Sequence, residues 1–257
     1  MPLLIVSPPL NPASAGTEYG WVRASDDGTA VSEHGSAPLA LLPLGNEITL
    51  LVPGAAISWH SLTLPPGSTS GGRLRSVLEG LLEDRLLDET DTVHFALEPG
   101  AKAGDAVWVA VCNRAALRDA VQALEATGRR VTRIAPEFAP QPDGAPALLF
   151  ATGEAQSPQM TACDANGVLS LPMSPASVAA ALSVPIDTVV VTGEPAVAAQ
   201  AEAILGVRVP IMQRAERWLQ AARGPWDLAQ FELASSHRVR AGKKLASWWQ
   251  QLRHEPR

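Results

Sequence analysis

The chain has 257 residues, 46% hydrophobic and 18% charged, a balance that fits one large folded domain or two to three small ones and excludes wholesale disorder. Its charge of −6 is unevenly spread: His237–Arg257 carries six Lys/Arg and one Glu, a net +5 that leaves −11 on the residues before it. An acidic body disfavours a nucleic-acid footprint, which needs clustered Lys and Arg to neutralise phosphates.

The chain opens with Leu3–Val6, a strand; prolines at 2, 8 and 9 and the lack of a basic region argue against a signal peptide. Tyr19–Ala24 and Thr29–Glu33 follow as strands, parted by Asp26, Asp27 and Gly28. Ala37–Leu42 reads as a short helix, and Glu47–Val52 as a strand stopped by Pro53 and Gly54. Ile57–Leu64 alternates like a strand, and the loop at 67–72 leads to a helix over Arg73–Leu87. There Leu74, Val77, Leu78, Leu81, Leu82 and Leu86 keep the 3.6-residue period. Thr92–Leu97 and Ala106–Cys112 are strands. Asn113 caps a helix over Arg114–Thr127 that Gly128 stops. Val131–Ala135 is a further strand, and the four prolines and one glycine of 136–146 mark a linker.

Beyond the linker come a strand at Ala147–Ala151 and a hairpin around Asp164–Gly167. A helix is capped by Ser174 with Pro175 at its first position. Thr188–Val191 reads as a strand, Ala196–Leu205 as a helix and Val207–Ile211 as a strand, so this half is mixed α/β. In Lys243–Arg253, Leu245, Trp248, Trp249 and Leu252 share one helix face beside basic residues. That pattern fits either a membrane-interface lead-in or a terminal helix docked on its own domain. No run of 18 apolar residues is present, so these residues are not expected to span a bilayer.

Catalytic signatures are missing. The Gly242, Lys243, Lys244 run lacks the earlier glycine and preceding strand of a phosphate-binding loop, and there is neither a G-x-G-x-x-G nor a G-x-S-x-G pattern. The histidines His34, His60, His94, His237 and His254 are too scattered for a metal site, and His94, inside a strand, reads as structural. Cys112 and Cys163 read as buried, inert thiols of a reducing compartment. Glu79, Glu83, Asp84, Asp88, Glu89 and Asp91 decorate a helix and its exit, as a solvated face first, a charged docking patch second, and a pair for acid/base catalysis last.

Several segments, in order, resemble the type II secretion system protein L family. They are Leu51–Gly54 (LVPG), Leu62–Pro65 (LTLP), Leu78–Leu86 (LEGLLEDRL), Val93–Glu98 (VHFALE) and Trp226–Ala234 (WDLAQFELA). The last is similar to the W-N-L-L-Q-G-x-F stretch that precedes that family's basic juxtamembrane segment, with Phe231 where the family often has Gly. The resemblance implies an α/β, actin-like (ribonuclease H-like) architecture of two subdomains with an inserted β-α-β-β-α subdomain. Residues 1–55 plus 129–142 would form the first subdomain, 56–128 the insertion, 143–235 the second, and 236–257 a juxtamembrane segment carrying Arg238, Arg240, Lys243, Lys244, Trp248 and Trp249. A transmembrane helix and a periplasmic domain would follow.

Actin-like ATPases hold nucleotide with an Asp-x-Gly loop after the first strand and a Gly pair after a late one. Here the corresponding residues are Ser7, Pro8, Pro9 and Thr192, Gly193, Glu194. Prolines remove N–H donors and Glu194 adds a carboxylate, so no functional nucleotide site, cofactor, metal or catalysis is expected. The resemblance implies a scaffold at the bacterial inner membrane, facing the cytoplasm. It would recruit the N-terminal domain of the secretion ATPase and contact the M and F platform components; a homodimer is compatible with it. The insertion is the expected docking face, with Glu79, Glu83, Asp84 and Arg85 at its rim. An actin-like adapter of a type IV pilus machine and a divergent actin-like ATPase are the competing readings.

Overall fold

The computed structural model describes residues 3–9, 17–45, 47–67 and 73–234; the expected juxtamembrane residues Arg238, Arg240, Lys243, Lys244, Trp248 and Trp249 lie outside them. In chain order the elements begin β1 (Leu4–Ser7), β2 (Glu18–Ala24), β3 (Val31–Pro38), β4 (Glu47–Val52), β5 (Ser58–Thr63) and α1 (Arg73–Leu82). Next are β6 (Val93–Leu97), β7 (Ala106–Asn113), α2 (Arg114–Ala126) and β8 (Arg130–Pro136). The chain then forms β9 (Leu148–Glu154), β10 (Ser157–Asp164), β11 (Gly167–Pro172), α3 (Pro175–Ala181), β12 (Val190–Gly193), α4 (Ala198–Leu205) and α5 (Arg214–Arg223).

The first sheet has the order β3-β2-β1-β4-β8. β1 pairs antiparallel with β2 and parallel with β4, and β4 runs parallel to β8. Three antiparallel strands followed by two parallel ones is the ribonuclease H-like arrangement. Because side chains alternate along a strand, Leu4, Val6, Ile48 and Leu50 face α2, whose Leu117, Val121 and Leu124 close a core with them. Ile5, Val22 and Leu51 face α5, against Ala215, Leu219 and Ala222.

The second sheet, β5-β7-β6, is antiparallel throughout. One face packs Phe95, Val109 and Val111 on Leu78 and Leu82 of α1, while Ala96, Ala110 and Cys112 on the other join the α2 core. The third sheet, β11-β10-β9-β12, is covered by apolar residues of α3 and α4.

Local signals explain the ends of several elements. Asn113 accepts the Ala116 N–H at 2.9 Å and Ser174 accepts that of Ser177 at 3.1 Å, both as N-caps. Gly128 follows α2 with φ 80°, the left-handed turn for which glycine is suited.

Other expectations shift. The strand expected over Thr29–Glu33 is β3, displaced to Val31–Pro38, because Asp27 ties the Thr29 N–H into the preceding turn. The helix expected over Ala37–Leu42 is only the 3₁₀ turn Leu39–Leu41. α1 stops at Leu82, short of Leu87, and a 3₁₀ turn spans Glu83–Arg85, where Arg85 donates to the Ser61 carbonyl at 2.7 Å. Val207–Ile211 makes a single bridge, Gly193 with Ile211, since Pro210 has no N–H to continue a ladder. α5 carries no counterpart in the sequence reading.

Candidate functional site

The C-terminal ends of the parallel strands β1, β4, β8, β9 and β12 converge on one cleft, the place where open α/β folds bind ligands. Ser7, Pro8 and Pro53 line it beside Glu137, Gly153 and Glu194, and α5 adds Arg214, Arg217 and Trp218; the space left is about 420 Å³.

An ion network fills the centre of this cleft. Arg217, only 5% exposed, donates from Nη1 to Glu137 Oε1 at 2.6 Å and from Nη2 to Glu194 Oε1 at 2.8 Å. Its guanidinium lies 4.9 Å from the centre of the Phe138 ring. Arg214 grips both oxygens of Glu194 at 3.2–3.3 Å. Trp218 Nε1 donates to Glu137 at 3.0 Å. The N–H groups of Gly54 and Gly153 bond Glu137 and Glu194 in turn. Burial pushes the Glu194 carboxyl up, but the hydrogen bonds from Arg214 and Arg217 outweigh it and hold the pKa below its ordinary value.

Two carboxylates thus meet two guanidiniums. Sequence reasoning placed Glu194 here as a bare negative charge; the structure places it here already neutralised. Glu137, Arg214 and Arg217 were missed, although α5 had a signal. Ala215, Trp218, Leu219 and Ala222 have helical spacing, Gln213 and Glu216 form a capping box, and Gly224 and Pro225 follow the helix. Gly193 is needed for close packing: a Cβ there would stand 2.8 Å from Val209 Cγ1.

After α5 the chain runs as a strap over the first two sheets. Leu228 N–H bonds the Ile134 carbonyl at 2.7 Å, and Gln230 takes the Leu97 N–H and donates back to the Leu97 carbonyl. Trp226 packs edge-on to Trp59 at 4.7 Å. His94, fully buried, donates from Nε2 to the Leu228 carbonyl at 2.8 Å, and its Nδ1 lies 3.3 Å from Glu232 Oε1. The expected structural role for His94 is therefore that of a fastener between β6 and the strap. Cys112 and Cys163 are buried free thiols, both pushed up to about 12 chiefly by burial.

The four expected rim residues lie at the end of α1. Glu79 pairs with Arg75 at 2.8 Å, Arg85 is tied to Ser61, and Glu83 and Asp84 are exposed. Beside them Leu81 is 39% exposed and Leu87 fully so. Among the described residues no His, Cys, Asp or Glu group could hold a metal, and no helix is long and apolar enough to cross a membrane.

The order and directions of the strands define an α/β protein of actin-like (ribonuclease H-like) fold. A solved structure of similar fold is the cytoplasmic domain of EpsL, an inner membrane component of the type II secretion system of Vibrio cholerae. It is 18% identical with TM-score 0.62 over 91% of this chain and 100% of that one. A PilM–PilN type IV pilus biogenesis complex matches at 13% identity and TM-score 0.50, over 92% and 94% of the two chains. A search of curated proteins by sequence finds no match. The model of the type II secretion system protein L family matches residues 19–150. The chain belongs to that family.

Proposed function

We propose that this chain is the cytoplasmic scaffold of a type II secretion inner-membrane platform. It recruits the secretion ATPase through that enzyme's N-terminal domain and links it to the M and F components. The fold likeness to the inner-membrane component of Vibrio cholerae supports the location, and the basic segment 236–257 is taken as the lead to a transmembrane helix outside these residues. Residues 1–55 with 129–142, 56–128 and 143–235 act as first subdomain, docking insertion and second subdomain.

The observation that carries the docking role is the exit of α1. Leu81 and Leu87 are apolar and exposed there, beside the exposed acids Glu83, Asp84 and Asp88. Such a patch gains affinity from the leucines, while its charges steer association. Replacing Leu81 and Leu87 by Ser should abolish pull-down of the purified ATPase N-terminal domain. Reversing Glu83 and Asp84 to Lys should weaken it most at low salt. Undiminished capture by both variants would overturn the placement.

The scaffold works without catalysis. The cleft offers prolines, glycine N–H groups already bonded to Glu137 and Glu194, and two guanidiniums committed to the same carboxylates. A triphosphate would have to displace these carboxylates from Arg214 and Arg217. Calorimetry with ATP and magnesium should show no saturable heat; micromolar binding would overturn this reading.

A further inference from the structure

A larger cavity, of about 750 Å³, lies between the second sheet, the proline-rich crossover after β8 and the third sheet. It shares only Glu137 and Arg217 with the ion-filled cleft and touches none of Glu79, Glu83, Asp84 or Arg85. Its volume is in the range of sites that enclose a drug-sized group.

The chemistry of the walls is one-sided. Trp108, Phe138, Phe150 and Trp226 supply aromatic surface, with Phe138 and Phe150 5.3 Å apart. The crossover contributes Pro136, Pro140 and Pro142, which have carbonyl acceptors but no N–H to donate. Two carboxylates, Glu98 and Asp143, line the cavity besides the ion pair of Glu137 and Arg217. Arg217 has both terminal nitrogens engaged with Glu137 and Glu194, so it adds no free positive charge.

The walls are also preformed, which lowers the ordering cost of binding. Glu98 accepts the Trp108 backbone N–H at 3.0 Å, and the Trp108 ring lies against Gly167, where a Cβ would stand only 3.0 Å away. Phe138 is buried and Asp143 exposed, so an occupant must reach from an aromatic floor to an acidic rim. A polypeptide segment does this; an anionic lipid or nucleotide is disfavoured by the carboxylates.

We propose that this cavity docks an extended segment of a partner protein, one that places an apolar or aromatic side chain against Phe138, Phe150 and Trp108 and a neighbouring Lys or Arg at Glu98 and Asp143. This surface is separate from the α1 face and stands whether or not that face meets the ATPase.

The test selects a randomised dodecapeptide phage library on the full chain, with counter-selection on Phe150→Ala. Because loss of the ring could disturb folding, Asp143→Lys on the exposed rim serves as the second variant. Enriched peptides should pair Lys or Arg with a large apolar residue. The synthesised winner should shift the indole N–H signals of Trp108 and Trp226 and leave that of Trp21, on β2, in place. It should bind Asp143→Lys about tenfold more weakly. Four results would overturn the proposal: acidic winners, no peptide that distinguishes the variants, undiminished affinity for Asp143→Lys, or indole shifts at Trp21 in place of Trp108 and Trp226. Displacement of the winner by equimolar spermidine would reassign the cavity to small cations and overturn it too.

Discussion

Phe231 has a φ of 50°, the left-handed region that glycine adopts freely. It stands where the resemblance places a frequent Gly, so the departure noted in the sequence is a strained residue in the structure. A non-glycine side chain there costs about 1–3 kcal/mol. The ring returns part of that by packing on the core under α1 and edge-on to His94, 6.5 Å between centroids. Phe231→Gly relieves the strain as it removes the contact, and its denaturant midpoint should stay within about 1 kcal/mol of the parent. Phe231→Ala keeps the strain and loses the ring, and should cost about 2–3 kcal/mol in the same assay. Equal losses for the two variants would show that φ at 231 carries no penalty.

At the scale of elements, α5 joins distant parts of the chain. It follows the third sheet in sequence, buries Ala215, Leu219 and Ala222 on the first, and sends Arg214 and Arg217 into the cleft. Its Trp218 lies over Gly20 of β2, where a Cβ would come within 2.5 Å of the indole. Gly20→Ala should therefore lower stability by about 1–3 kcal/mol through overpacking. A thermal melt of the double variant with Trp218→Leu should recover part of the loss, a coupling expected of touching residues.

Helices and strands whose marks are local were legible in the sequence. Asn113 and Ser174 announced their caps, and Pro53 and Gly128 their stops. The Glu137–Arg217–Glu194 network was not, because its members come from three separate elements and no spacing rule links them. Cysteine burial and the structural histidine followed from residue type and flanking strand residues; the carbonyl of Leu228 as a partner of His94 did not.

On the scale of the whole molecule, the cleft network fastens the first sheet to the third through α5. Glu194 has its carboxyl held below the ordinary 4.5, as its Arg partners outweigh burial, and Glu232 is lowered too, against burial, by its own backbone N–H and by His94. A lowered folded-state pKa favours the ionised, folded form. Its contribution is complete above about pH 4.5 and is lost as pH falls through the lower folded value. Glu194→Gln should cost about 1–3 kcal/mol at pH 7 and flatten the decline of stability below pH 4.5 in urea titrations. A decline parallel to that of the parent would remove Glu194 from the account of acid sensitivity.

The strap has a protective consequence as well. β6 is the outermost strand of its sheet, and Gln230 occupies the backbone N–H and carbonyl of Leu97 much as another strand would. A chain shortened before Trp226 would leave that border open to pairing between molecules, the usual route to strand-mediated polymers. Light scattering of such a truncation should reveal self-association that the longer chain resists.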